Sequence, residues 1–152
     1  MNTDELLKLD NQLCFAVYAC SREIIKLYRP HLEKLGLTYT QYITLLVLWE
    51  KQSLSAKELG DALYLDSGTL TPLLKKLEAM GLIERRRGTE DERNLIVSLT
   101  EKGRDLKEAA REVPVKVACS VELSPHEGVF LRETLKELTR KVTKNIKGQQ
   151  PE

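Results

Sequence analysis

From Leu6 to Leu35 the apolar residues Leu6, Leu9, Leu13, Val17, Ile24, Ile25, Tyr28 and Leu32 recur mostly at three- and four-residue steps. That spacing predicts a helix with one buried face. Pro30 offers no backbone donor, so a break or kink is expected between Tyr28 and His31. Gly36 then closes the segment, as glycine often does at a helix C-terminus. Further helix starts are visible as capping chemistry. Thr38 with Gln41, Ser55 with Glu58, and Ser124 with Glu127 each have the spacing of a reciprocal capping box. Pro125 stands at the first helical position of the last, where its missing N–H has no partner to lose. Asp66 or Ser67 opens another helix that Gly81 stops. The predicted helices run over residues 39–50, 56–63, 68–80 and 125–146.

The period changes between Gly81 and Thr100. Two short β-prone runs, Leu82 to Arg86 and Arg93 to Leu99, flank the polar stretch Gly88 to Glu92 and predict a hairpin. Thr100-Glu101-Lys102-Gly103 opens a helix expected to reach Val113, ahead of Pro114. Neither repeats nor low-complexity segments occur, and only residues 148–152 are expected to be a disordered tail. The predicted fold class is mainly α with a small β-hairpin wing. Two short helices joined by a tight connection and followed by a hairpin describe a winged helix-turn-helix.

Composition narrows what such a fold can do. The 152 residues suit a single domain with an extension, and 41% hydrophobic with 31% charged residues is a globular balance. Lys and Arg total 24 against 23 Asp and Glu, a formal charge of +1. Any nucleic-acid binding must therefore come from a local basic face. Apolar runs such as Tyr42 to Trp49 are too short to span a bilayer, and the polar, acidic N-terminus is unlike a secretory signal. A cytoplasmic location and no membrane partner are expected. Three cysteines, an odd number, then read as free thiols of which at least one could be reactive. The two histidines, His31 and His126, lack metal-ligand spacing, so neither a metal nor a cofactor is expected.

Within the segment from Asp66 to Leu77, Leu70, Leu73, Leu74 and Leu77 form one stripe that would anchor a helix to a core. The opposite face carries Ser67, Thr69, Thr71, Pro72, Lys75 and Lys76. Small hydroxyls near a helix N-terminus suit base edges and thymine methyls in a major groove, and the lysines suit phosphates. The plainer alternative is an amphipathic helix with a solvated face. On the hairpin, Arg85, Arg86 and Arg87 lie on the first strand and Arg93 beyond the tip, as in a basic arm that enters a minor groove. Asp91 stands where it would orient the Arg93 guanidinium. Here the alternative is a surface ion-pair cluster, because Glu84, Glu90, Asp91 and Glu92 nearly neutralise the arginines. The candidate DNA-contact set is Asp66, Ser67, Thr69, Thr71, Pro72, Lys75, Lys76, Arg85, Arg86, Asp91 and Arg93.

The string Asp91-Glu92-Arg93-Asn94-Leu95-Ile96-Val97-Ser98-Leu99-Thr100, with Glu101-Lys102-Gly103 after it, resembles the wing motif of the MarR family of bacterial winged-helix regulators. The resemblance covers nearly the whole chain. It implies a homodimer with interleaved first and last helices, set on double-stranded, pseudopalindromic operator DNA. Two-fold symmetry supports this, since two half-sites multiply the few base contacts of one small head. The implied division is residues 1–36 for an N-terminal dimerisation helix, 37–104 for the winged helix-turn-helix and 105–147 for C-terminal dimerisation helices.

The third cluster surrounds Cys14. Tyr18 is four residues on, hence on the same helical face. A cysteine near a helix start feels the positive end of the dipole, which favours thiolate, and a phenol bonded to the sulfur would add to this. Tyr28, fourteen residues on, lies about 21 Å along a straight helix and could reach a Cys14 only across a dimer. Equally, Cys14 could be a small buried hydrophobe and both tyrosines packing residues. Cys20 lies about 120° round the helix from Cys14 and reads as structural.

The segments Asn11 to Phe15, Tyr18-Ala19, Ser21 to Glu23, Leu37 to Tyr39 and Tyr64 to Pro72 are similar to the OhrR subgroup, repressors of organic hydroperoxide resistance. That resemblance implies that Cys14 senses peroxide, with Tyr18, Tyr28 and Tyr39 as its hydrogen-bonding tyrosines, the last two from across the dimer. Two-cysteine members carry a second, resolving cysteine near the C-terminal helices, and Cys119 stands in that region. One-cysteine members use an external small thiol instead. Organic hydroperoxide would be the inducer and the protein no enzyme. Two rivals remain: a repressor gated by a small phenolic ligand, and a thiol peroxidase. The peroxidase is disfavoured because no thioredoxin-like βαβ pattern and no Cys-x-x-Cys pair are present.

Overall fold

The computed structural model describes residues 2–89 and 94–149. In chain order its elements are α1 (Thr3–Leu6), a 3-10 turn (Leu9–Asn11), α2 (Leu13–Glu33), α3 (Tyr39–Lys51), β1 (Ser53–Ser55), α4 (Ala56–Leu63), α5 (Ser67–Ala79), β2 (Ile83–Arg87), β3 (Leu95–Leu99), α6 (Glu101–Ala110), α7 (Glu112–Val121) and α8 (Pro125–Gly148). The mainly helical winged fold is present, with a sheet larger by one strand than expected. The chain divides into two compact units, Met1–Val115 and Lys116–Glu152.

Capping chemistry sets the helix starts. Thr38, Ser55 and Ser124 each close a capping box with Gln41, Glu58 and Glu127, satisfying donors that a helix start leaves unpaired. Asp66 caps α5 by accepting the Thr69 N–H at 2.8 Å. The ends are closed by left-handed residues. Gly36 and Gly81 have φ of 68° and 72°, and the following N–H groups of Leu37 and Leu82 return to the carbonyls of Leu32 and Leu77 at 3.0 and 3.1 Å. Tyr64 performs the same turn after α4 at φ 55°, a conformation that costs a residue with a Cβ.

The first unit builds its core against the sheet. β3 lies between β1 and β2, antiparallel to both, with Leu54 opposite Val97 and Arg85 opposite Val97 on the other side. Leu45, Leu48, Leu59, Leu74, Leu77, Ile83 and Val97 are buried, as are Leu70 and Leu73 of the predicted stripe. The Leu99 to Gly103 segment is the joint of this core. Thr100 caps α6 and donates its hydroxyl to the Gly81 carbonyl at 2.6 Å; Lys102 reaches the Met80 carbonyl at 2.8 Å. The Trp49 indole N–H donates to the Gly103 carbonyl at 2.8 Å in the interior. A Cβ at Gly103 would run into the Leu82 carbonyl, so this position demands glycine.

Two expectations are corrected. α2 continues through Pro30 to Glu33, with no break at Tyr28 to His31. Pro30 gives up the single bond its N–H would have made to the Lys26 carbonyl, and the helix ends three residues later. The interruption lies earlier, at Leu7 to Gln12, between α1 and α2. Likewise Pro114 does not stop a helix that reaches Val113. α6 ends at Ala110, and α7 takes Pro114 into its first turn, where an N–H has no partner anyway.

The second unit ends in α8, which runs to Gly148 and buries none of its residues. Val129, Phe130, Leu131, Leu135, Val142 and Ile146 are exposed there. In the first unit Leu6, Leu7, Leu9, Leu13, Phe15 and Val17 are exposed too. The face that periodicity predicts to be buried is therefore covered only in the latter part of α2, around Leu32.

Candidate DNA interface and thiol site

α5 presents its chemistry because its leucines are spent inward. With Leu70, Leu73, Leu74 and Leu77 buried, Ser67, Thr69, Thr71, Pro72, Lys75 and Lys76 are exposed together on the far side. The Asp66 carboxylate, read from sequence as a DNA contact, is engaged in capping the helix. The wing arginines separate. Arg86 is exposed and pairs with Glu84 at 3.0 Å, a surface pair that costs little to exchange. Arg85 alternates to the other face of β2 and turns inward. Its Nε and Nη2 donate to Glu78 Oε2 of α5 at 3.1 and 2.7 Å, with 19% of its side chain exposed. That pair holds the Glu78 carboxyl below its ordinary range. Asp91 and Arg93 lie outside the described residues.

Cys14 owes its position to two amides. Asn11 Nδ2 donates to the Glu5 carbonyl at 2.7 Å, and Gln12 Nε2 to the carbonyls of Leu6 and Lys8 at 2.6 and 3.0 Å. These bonds tie the two side chains back onto carbonyls of α1 and of the turn after it, and α2 begins at Leu13. Cys14 is thus the second residue of a 21-residue helix, and it is exposed. In that turn, unpaired N–H groups favour negative charge. Cys20 and Cys119 are also exposed, Cys119 in the last turns of α7.

Tyr18 does not bond Cys14 within the chain. Its hydroxyl accepts from Arg22 Nη1 at 3.2 Å, and the same guanidinium stands 5.4 Å from the ring centroid. Tyr28 and Tyr39 are brought together, their rings 5.1 Å apart edge to face, and a third ring that the sequence did not single out, Tyr42, joins them at 5.9 and 6.5 Å. Burial raises all three phenols above their ordinary range, so their hydroxyls stay protonated and able to donate. Because α2 is unbroken, Tyr28 stands roughly 21 Å along it from Cys14, at ~1.5 Å per residue.

A capped helix with hydroxyls and lysines on its outer face, next to a three-stranded sheet that carries arginines, defines a winged helix-turn-helix DNA-binding protein. Comparison with known proteins gives the family. The model of the transcriptional regulator SarA/Rot family matches residues 26–110, and the chain belongs to that family. It is 56% identical over 113 residues to the organic hydroperoxide resistance transcriptional regulator of Bacillus subtilis strain 168, covering 74% of this chain and 77% of that one. Among solved structures, reduced AbfR bound to DNA is 37% identical with a TM-score of 0.75, over 93% of this chain and 99% of that one; AbfR is a Staphylococcus epidermidis protein. Disulfide-formed AbfR is 41% identical with a TM-score of 0.62, over 90% and 96%. The chain is accordingly a transcriptional regulator of this family, and the proteins it is related to are regulators rather than enzymes. Among the described residues, no helix is long and apolar enough to cross a membrane.

Proposed function

We propose that this protein is a redox-sensing repressor that grips operator DNA as a reduced homodimer and lets go when Cys14 is oxidised by an organic hydroperoxide. The observation that carries the reading is Cys14 itself, an exposed thiol in the first turn of a long helix. Its thiolate attacks the peroxide O–O bond, taking one oxygen to become sulfenic acid and releasing the alcohol. Cys119 of the partner subunit then displaces that oxygen as water and forms an intersubunit disulfide. The names of the relatives agree with this chemistry: a hydroperoxide resistance regulator, and a protein seen reduced on DNA and in disulfide form.

Dimerisation is supported by the uncovered apolar residues of α8 and of the segment from Leu6 to Val17. Leu131, Leu135, Leu138 and Val142 follow a four-three-four spacing that suits a helix–helix seam. Burying one Leu, Val or Phe side chain is worth about 1.5–3 kcal/mol, so such a stripe is a strong drive to pair. In a dimer of this kind Tyr28 and Tyr39, protonated donors, would come from the partner subunit to the Cys14 sulfur, with Tyr18 from its own helix. Residues 67–76 of α5, with Lys75, Lys76 and Arg86 on phosphates, would read each half-site, and the wing positions Asp91 and Arg93 would serve the minor groove.

The test is the intact mass of reduced protein after one equivalent of an organic hydroperoxide, with non-reducing gels alongside. The expected product is a covalent dimer that disappears in Cys119→Ala, leaving Cys14 one or more oxygens heavier. A covalent dimer that persists in Cys119→Ala removes Cys119 from the pathway, and unmodified Cys14 removes the sensing role.

A further inference from the structure

We infer that Glu78 and Arg85 form a clamp that fixes the wing strand against the recognition helix, making Arg85 a positioning residue for DNA binding rather than a contact to DNA. Three features of the fold place it there. The connection from α5 to β2 spans only Met80 to Leu82, and the strand is pinned at its base by buried Leu82 and Ile83. Beyond that base, Arg85 is the next residue on the same face, about 6.6 Å further out at ~3.3 Å per residue. It is there that the strand is tied back to α5, through two donors converging on one Glu78 oxygen. The guanidinium is four-fifths buried and its strongest donors are spent, whereas the next residue, Arg86, is exposed on the opposite face.

A mostly buried guanidinium with a carboxylate already on it is poorly placed to meet a phosphate, because it would have to break the pair and leave Glu78 facing the DNA charge. As a clamp it does something else. It holds the strand that carries Arg86 at a constant angle to α5, so that major-groove and strand contacts are made together without an entropic cost for ordering the wing. The inference rests on DNA binding through α5 and the sheet, and is independent of the thiol chemistry.

The sign of one substitution separates the two roles. Reduced full-length protein is measured against a DNA duplex selected from a random pool for tight binding to it, over a series of salt concentrations. For the clamp, E78Q and R85A each weaken binding about tenfold or more, the double variant is no weaker than R85A alone, and the charge-reversed pair E78R with R85E recovers part of the loss. Hydroxyl-radical protection from the wing weakens in E78Q as well. For a direct phosphate contact, R85A lowers the salt slope by about 0.9 while E78Q binds equally or more tightly, because a competing carboxylate charge is gone. That result, or unchanged affinity in both single variants, overturns the clamp. Thermal melting of E78Q, an isosteric change at a part-exposed site, shows that the head is still folded. A wild-type protein that selects no duplex would instead overturn the DNA-binding face.

Discussion

The sheet-and-α5 head and the two helical flanks obey opposite packing rules. In the head each apolar stripe has a cover within the same chain: the α5 leucines are buried, Ile83 and Val97 are closed off, and the Trp49 indole finds a carbonyl. In the flanks the apolar residues of α8 and of the segment from Leu6 to Val17 stand in the open. The head is finished within one chain, whereas the flanks leave apolar residues uncovered. On the reading proposed above, function divides along the same line, with groove reading in the finished part and sensing in the unfinished one. A thiol placed in the unfinished part can change how two heads are spaced without disturbing either.

Substitutions can break that contrast in order of size. Gly103→Ala should be the most damaging, because its methyl meets the Leu82 backbone; it is expected to cost roughly 3 kcal/mol and lower the melting temperature of the head by more than about 10 °C. A melt within a few degrees of wild type would show that the joint yields. Leu135→Lys should leave the secondary structure of the head intact by circular dichroism yet weaken self-association about a hundredfold in sedimentation equilibrium. Equal loss of helicity and association would mean that the flank is needed for the head to fold. Arg86→Ala should reduce the salt dependence of operator binding by about one phosphate, a slope change of about 0.9. An unchanged slope would turn Arg86 from a contact into a bystander.

The smallest effect is on acid stability. Hydrogen bonds from Ser55 hold Glu58 below its ordinary range, and those from Ser124 do the same for Glu127. A carboxyl depressed in the folded state gives stability that is present above its unfolded pKa and lost as pH falls through the folded one. E58Q should therefore flatten, slightly, the loss of melting temperature below the ordinary glutamate range. No change in that slope would show that the capping box contributes nothing ionic.

Much of the head could be read from residues alone, because local chemistry decides it. Ser55 with Glu58 sets the start of α4, and the leucine period sets the buried side of α5. What escaped reading depends on partners distant in sequence. β1 is three residues long, too short for an alternating pattern, and exists because Leu54 and its neighbours find β3. Tyr42 looked like part of an apolar run, and only the packing of α2 on α3 makes it the third ring beside Tyr28 and Tyr39. Arg85 and Arg86 are identical in type and adjacent, yet strand alternation sends one to Glu78 and the other to solvent. Pro30 signalled a break, yet it costs α2 only the bond to the Lys26 carbonyl. At Cys14, the amides of Asn11 and Gln12 were a visible sign of a chain turn that periodicity overrode.

The most direct measurement is release from operator DNA on adding an organic hydroperoxide, comparing reduced wild-type protein with Cys14→Ser. If Cys14 is the sensor, the two bind equally before oxidant is added and the wild type alone dissociates afterwards. A serine variant that leaves the DNA as readily as wild type would contradict it.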